Sequence, residues 1–316
     1  MASTQSGKSL ILKIKIYILS SNRGGTRFKA NQGGDFNMKK LSLGLLSLVA
    51  AFTLVGCGND TNQETPATEK TETVKLSVGA SAVPHAEILE FAAPLLLEEG
   101  IELDITIFQD YVLPNTTVEE GELDANYFQH IPYLEKFNAE HGTNLVSVGG
   151  IHIEPIGIYS KNYKSLDELP EGATIIMSNS VADHGRMLGL LQTEGLIKLN
   201  DSVDVSHATV EDIVENPKNL EFKTDIDPGL LVTVYNSNEG DAVLINTNYA
   251  LDGGLNPMTD SIAMEGSESP YVNIIAVKSG NENSEAIQTL VNVLHSEEVQ
   301  QFIIDTYKGA VVPVSK

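Results

Sequence analysis

Cysteine occurs once in these 316 residues, at position 57. A lone thiol excludes disulfides within the chain, cysteine-ligated zinc and a paired redox motif. Positive charge is also scarce, with 20 lysine and arginine residues against 43 aspartates and glutamates. The first 57 residues hold eight of the basic residues and one of the acidic ones, leaving a net charge of −30 on the remainder. Phosphate backbones would be repelled, which argues against a nucleic-acid partner. The same field disfavours a net-anionic small ligand but tolerates a zwitterion. Enzyme signatures are missing too: there is no His-Glu-x-x-His, Gly-x-Ser-x-Gly or phosphate-cradling glycine loop. His152-Ile153-Glu154-Pro155 is half of a zinc-deaminase signature whose Pro-Cys-x-x-Cys partner cannot exist here. The seven histidines are scattered without ligand spacing, so a metal could be held only by residues far apart in sequence. No catalytic residue, metal or cofactor is expected.

The one long apolar run that reads as a targeting segment is MKKLSLGLLSLVAAFTLVGC, residues 38 to 57. Two lysines, a short apolar stretch and small residues before a cysteine form a secretory signal peptide, 38–56. Leu54-Val55-Gly56-Cys57 matches a lipobox, in which the thiol is joined to diacylglycerol and becomes the new N-terminus. A lipid anchor on Cys57 and a place on the extracytoplasmic face of the cell membrane are therefore expected. Residues 1–37 precede a complete signal peptide and read as an early mis-assigned start. Residues 58–73 have almost no large apolar side chains and read, with Cys57, as a flexible tether.

From Val74 the chain alternates strand-like and helix-like segments, as in VKLSVGA followed by PHAEILEFAAPLLLEEG. That order predicts an α/β fold with parallel strands. Some 240 residues exceed one ordinary core, which predicts two lobes. The long apolar segment 145–161 is the expected first crossing and 269–279 the return, followed by a strongly periodic helical stretch; no internal repeat is visible. The expected division is 74–157 and 251–316 for lobe 1 and 158–250 for lobe 2, hinged about a cleft.

Arg186 is the only arginine after residue 57. It follows the strand ATIIMSNS and sits at the start of the apolar-periodic run RMLGLLQTEGLI, where a strand-to-helix turn faces a ligand crevice. A guanidinium there offers a planar fork for a carboxylate, which lysine cannot reproduce. DYVLPN (110–115) and DANYFQHIPYL (124–134) place aromatics and an imidazole at a strand end before Pro132 opens a helix, with Tyr111 and His130 the leading candidates. INTNYA (245–250) puts Asn246 and Asn248 after another apolar strand, where either could meet an ammonium or carboxylate; turn chemistry explains them almost as well.

PHAEILE, DYVLPN, GELDANYFQHIPYL, HGTNLVSVG, YSKNYKSLDELPEGATI, ENPKNL and INTNYAL together resemble the NlpA lipoprotein family, the methionine-binding lipoproteins of ABC importers. The resemblance runs over almost everything from Val74 to Lys316. It implies a two-lobed, type II-like periplasmic-binding-protein fold that closes on a free amino acid and passes it to an ABC permease driven by its ATPase. It places an aromatic pocket on Tyr111, Phe128, His130 and Tyr133, the carboxylate-binding arginine on Arg186, and a polar asparagine on Asn246 or Asn248. L-methionine is the favoured ligand, with D-methionine, a methionine dipeptide or another apolar amino acid as alternatives; a surface adhesin is the alternative of another class. Two stretches depart from the family: NSVADHGR stands where NDPTNEGR is usual, with Ser180 and His184 in place of common acidic positions. DPGLLVTVYN stands where many members carry Gln-Leu-Pro-Arg. Both were expected near the second lobe's cleft face, leaving side-chain specificity open.

Overall fold

A computed structural model describes residues 15–16, 73–266 and 268–315. The signal peptide, Cys57 and the tether up to residue 72 lie outside the described residues. No described helix is long and apolar enough to cross a membrane.

The first sheet is built on β1 (Val74–Ser81), which pairs in parallel with β2 (Ile101–Phe108) and with β3 (Ala125–His130). Lys15–Ile16 runs parallel beside β2 at the sheet edge. Its helix α1 (Glu87–Glu98) buries Ile88, Leu89, Ala92 and Leu96 on one stripe, the i, i+4, i+8 spacing of an amphipathic helix. Ile88, Leu89 and Leu96 each contribute about 1.5–3 kcal/mol on full burial. Helices α2 (Leu113–Glu120) and α3 (Ile131–His141) follow β2 and β3.

The chain then runs along β4 (Leu145–Ile153) and leaves the first sheet. Glu154, Pro155 and Ile156 carry it across to β5 (Gly157–Tyr159) in a second, five-stranded sheet. There β6 (Thr174–Ser178) pairs in parallel with β7 (Glu221–Ile226) and with β8 (Ala242–Ile245), while β5 runs antiparallel to β8. Helix α4 (Val181–Thr193) follows β6, α5 (Leu231–Asn236) precedes β8, and α6 (Thr247–Asp252) follows it. Strand β9 (Ser261–Met264) also pairs with β5, so the second sheet contains residues that the sequence reading placed in lobe 1 beyond position 250. β9 is only half-buried throughout, and its SIAM carries no strong apolar alternation to mark it.

Residues 265–271 return the chain to β10 (Val272–Lys278), which lies between β3 and β4 and antiparallel to both. The periodic C-terminal stretch breaks at Ser296 into α7 (Glu285–Leu294) and α8 (Glu297–Tyr307), with the Ser296 hydroxyl accepting the Val299 N–H at the new N-terminus. Both helices pack on the first core through Ile287, Leu290, Leu294, Val299 and Ile303. Each sheet has its own apolar core, one centred on Val78, Tyr127 and Ile275 and the other on Ile158, Ile175 and Leu191.

Candidate functional site

The first wall grows out of β3, all six residues of which are buried. Phe128 and His130 share a face by the two-residue period of a strand. Proline at the second position of α3 fixes the helix start, and His130 caps it: its Nδ1 accepts the Tyr133 N–H at 3.2 Å. The ring proton therefore sits on Nε2, which donates to Asp183 Oδ1 at 2.9 Å. Tyr133 Oη donates to the Tyr111 carbonyl at 2.8 Å, and Tyr111 Oη donates to Asn248 Oδ1 at 2.7 Å. Burial raises the Tyr111 hydroxyl well above its ordinary range, so it remains a donor. The rings of Phe128 and Tyr133 each lie 5.8 Å from that of Tyr111, and the Tyr249 ring 5.0 Å. Behind them a buried amide network joins Asn115, Asn126 and Gln129 at 2.6–2.9 Å and ties α2 to β3.

The opposite wall comes from α4 and the N-terminus of α6. Sequence periodicity put Arg186 at a helix start, but α4 begins at Val181, so Arg186 stands in the second turn. Ser180 makes no side-chain capping bond, which left the true start without a strong signal. A Cβ on Gly185 would come within 2.3 Å of the Val205 carbonyl oxygen, so this position lets the 205–206 backbone press against α4 beside Arg186. The Arg186 guanidinium lies 4.6 Å from the Tyr271 ring centre and is only 6% exposed. Its Nη2 donates to the Glu154 carbonyl at 2.9 Å and pairs with the Glu265 carboxylate. Burial would lower its pKa, but Glu265 and Asp183 outweigh that and keep it charged. Its Nε is buried and has no partner among the described residues. Asp183, one turn earlier, receives His130 on one oxygen and Asn246 Nδ2 on the other at 3.3 Å. Burial raises the Asp183 pKa, yet the His130 hydrogen bond and the Arg186 charge override it and hold the group at about 2. Asn246 Oδ1 is buried and has no partner among the described residues.

Tyr111, Phe128, His130, Tyr133, Arg186, Asn246 and Asn248 all line one cavity, with about 370 Å³ of atom-free space. Sequence reasoning missed five further wall residues: Gln129, Glu154, Asp183, Thr247 and Asn273. Asp183 had a usable signal, since it precedes Arg186 by three on a helix. Asn273 had a weaker one, a polar residue opening the apolar run of β10. Of the two departures from the family, NSVADHGR contributes Asp183 and Arg186 to this cavity, and DPGLLVTVYN stands apart from it. Ser180 and His184 are absent from its lining, and His184 Nε2 bonds back to the Ser178 carbonyl at 2.8 Å. Leu230 and Val232 of DPGLLVTVYN line a separate cavity with Gln109 and Tyr249.

Glu154 is the link between the cavity and the crossing. Its Oε1 faces His152 Nε2 at 2.8 Å and His85 Nε2 at 3.1 Å. His85 Nε2 also faces Asn273 Oδ1 at 3.0 Å, and Tyr127 Oη bonds His152 Nδ1. Burial pushes His85 down to about 4 and His152 to about 3, so both rings are neutral at pH 7. Burial raises Glu154, against the opposing pull of His85 and Arg186. One residue further along, the Pro155 carbonyl accepts the Thr247 hydroxyl, and the Glu265 carboxylate accepts the Ile156 N–H at 3.2 Å.

Residues 76–315 match the family model described as NlpA lipoprotein. The methionine-binding lipoprotein MetQ of Bacillus subtilis is 49% identical over 281 residues, 88% of this chain and 100% of that protein. The D-methionine-binding lipoprotein MetQ of Escherichia coli is 36% identical over 84% of this chain and 94% of its own length. Among solved structures, a nutrient-binding protein from Burkholderia cenocepacia bound to methionine superposes with a TM-score of 0.71 at 41% identity, covering 75% of this chain and 99% of that one. The two sheets and their double crossing are thus the two-lobed periplasmic-binding fold of substrate-binding lipoproteins. This chain belongs to the NlpA lipoprotein family.

Proposed function

We propose that this protein is the lipid-anchored solute-binding component of an amino-acid ABC importer and that it binds methionine in the cavity between its lobes. The observation that carries this reading is a pair of unsatisfied buried groups in one cavity: a charged donor, Arg186 Nε, and an acceptor, Asn246 Oδ1. Buried polar groups in native proteins are almost always paired, so an unpaired donor and an unpaired acceptor on residues of one cavity support a ligand that supplies the complement. A zwitterion does so, its carboxylate on Arg186 and its ammonium on Asn246 beside the Asp183 carboxylate. Tyr111, Phe128 and Tyr133 then enclose an apolar side chain, with His130 as the polar contact at its end. Methionine is favoured because relatives on both sides of the sequence range carry that ligand in their names. Delivery requires a permease and its ATPase, and the lipid on Cys57 would hold the protein at the extracytoplasmic face of the membrane.

The test is a melting screen of the detergent-solubilised chain against all L-amino acids, D-methionine and methionine dipeptides. L-methionine is expected to give the largest rise in Tm. A response to a sugar, with none to any amino acid, would overturn the proposal.

A further inference from the structure

The half-motif His152-Ile153-Glu154 has no ligand-spaced companion in sequence, and no metal was expected from it. Folding supplies the companion from 67 residues upstream. Among the described residues, His85, His152 and Glu154 present one nitrogen or oxygen each within a sphere where all lie no more than 4.8 Å apart, and all three are buried. We infer that His85, His152 and Glu154, with Asn273 Oδ1 as a fourth donor, form a site for one divalent ion of the zinc class, clamping the crossing segment to the first lobe.

The donor set selects the metal. Two imidazoles with a carboxylate and an amide oxygen suit zinc, whereas calcium and magnesium call for six or more oxygens. The spacing is close to what zinc requires. Tetrahedral bonds of about 2.0–2.1 Å place neighbouring donors about 3.3 Å apart. Here Glu154 Oε1 is 2.8 Å from one imidazole nitrogen and 3.1 Å from the other, and Asn273 Oδ1 is 3.0 Å from His85 Nε2. These three contacts each need to lengthen by only a few tenths of an ångström. Each neutral ring keeps its proton when a metal enters, passing it from Nε2 to Nδ1. At His152 the receiving Nδ1 already faces Tyr127 Oη, which turns from donor to acceptor and holds the ring as outer partners of metal-bound histidines do. His85 Nδ1 has no protein partner among the described residues. The ligands come from three separate places: the helical turn between β1 and α1, the end of β4 with the crossing residue that follows it, and β10. Binding would therefore join the hinge to the sheet rather than stiffen one loop. Glu154 and Asn273 also line the amino-acid cavity, which gives an ion its entrance when the lobes part.

The site goes beyond the amino-acid reading and is tested without an amino acid. The detergent-solubilised full chain, stripped with chelator, is dialysed against Zn²⁺ alone, and bound metal is counted by mass spectrometry. One zinc per chain is expected, with a rise in Tm of about 5–10 °C at a hundredfold excess over Kd. His152→Gln and His85→Gln should each lose that zinc and that rise, and Ca²⁺ or Mg²⁺ should give neither. Since either variant could fold poorly, Co²⁺ is added to the unaltered protein as a second reading. Strong visible absorption from a four-coordinate nitrogen and oxygen site is expected, and a weak octahedral spectrum would overturn the proposal. So would an unaltered protein that takes up no zinc, or variants that take up as much as it does, because the ion would then sit on exposed carboxylates.

Discussion

Replacing Arg186 separates its two tasks. In the folded protein Nη2 holds the Glu154 carbonyl and the Glu265 carboxylate, while Nε is buried and unpaired beside the cavity. Arg186→Ala leaves Glu265 and Asp183 without their cation in a largely dry setting. Breaking a buried pair from one side costs about 3–5 kcal/mol, a fall in Tm on the order of 10 °C. The 6% exposure of Arg186 and its pairing to the return segment make it structural as well. The ligand carboxylate loses its partner too, weakening binding more than about a hundredfold. Arg186→Lys keeps a charge for Glu265 but loses Nε and the fork. It should recover most of the melting temperature and little of the affinity. The assay is calorimetric titration of methionine into ligand-stripped protein, paired with a melting curve for each variant. An Arg186→Ala protein that melts cooperatively and binds within about threefold of the unaltered chain would refute the reasoning.

Asp183 gives a pH test. Its carboxyl lies at about 2 in the folded chain against about 3.9 when unfolded. The native state binds fewer protons between those values, so the stabilisation is complete above about pH 4 and is lost as pH falls through about 2. The melting-temperature advantage of the unaltered protein over Asp183→Asn, worth about 3 kcal/mol near neutrality, should shrink across that window; a constant difference would count against it. Gly185→Ala forces a Cβ against the Val205 and Ser206 carbonyl oxygens and should cost about 1–3 kcal/mol, read as a lower midpoint in urea. Cys57→Ser should move the protein out of the membrane fraction or leave an uncleaved precursor, and unchanged partitioning would remove the lipid anchor from the account.

Local chemistry was legible in the sequence where it acts over a few residues. Proline at 132 marked the end of β3 and the start of α3, and the solitary arginine after residue 57 pointed to a polar anchor. The seven residues named from strand ends and from the family resemblance meet in one cavity. What stayed hidden depends on partners distant in the chain. Glu154 resembles any acidic residue before a proline until His85 and Asn273 arrive from other strands and loops. Asp183 acts by joining α4 to His130, and a sequence pattern cannot display a contact across 53 residues. The expected return at 269–279 coincides with β10, but the lobe boundary at residue 250 fell short of β9, which is short and half-buried, with no alternation to separate it from a loop.

A crystal structure of the full chain with L-methionine would test the central claim most directly. The ligand is expected between the lobes, with its carboxylate within hydrogen-bonding distance of Arg186, its ammonium on Asn246 Oδ1 and its thioether among Tyr111, Phe128 and Tyr133. Methionine bound elsewhere, or bound there with its carboxylate turned away from Arg186, would contradict it.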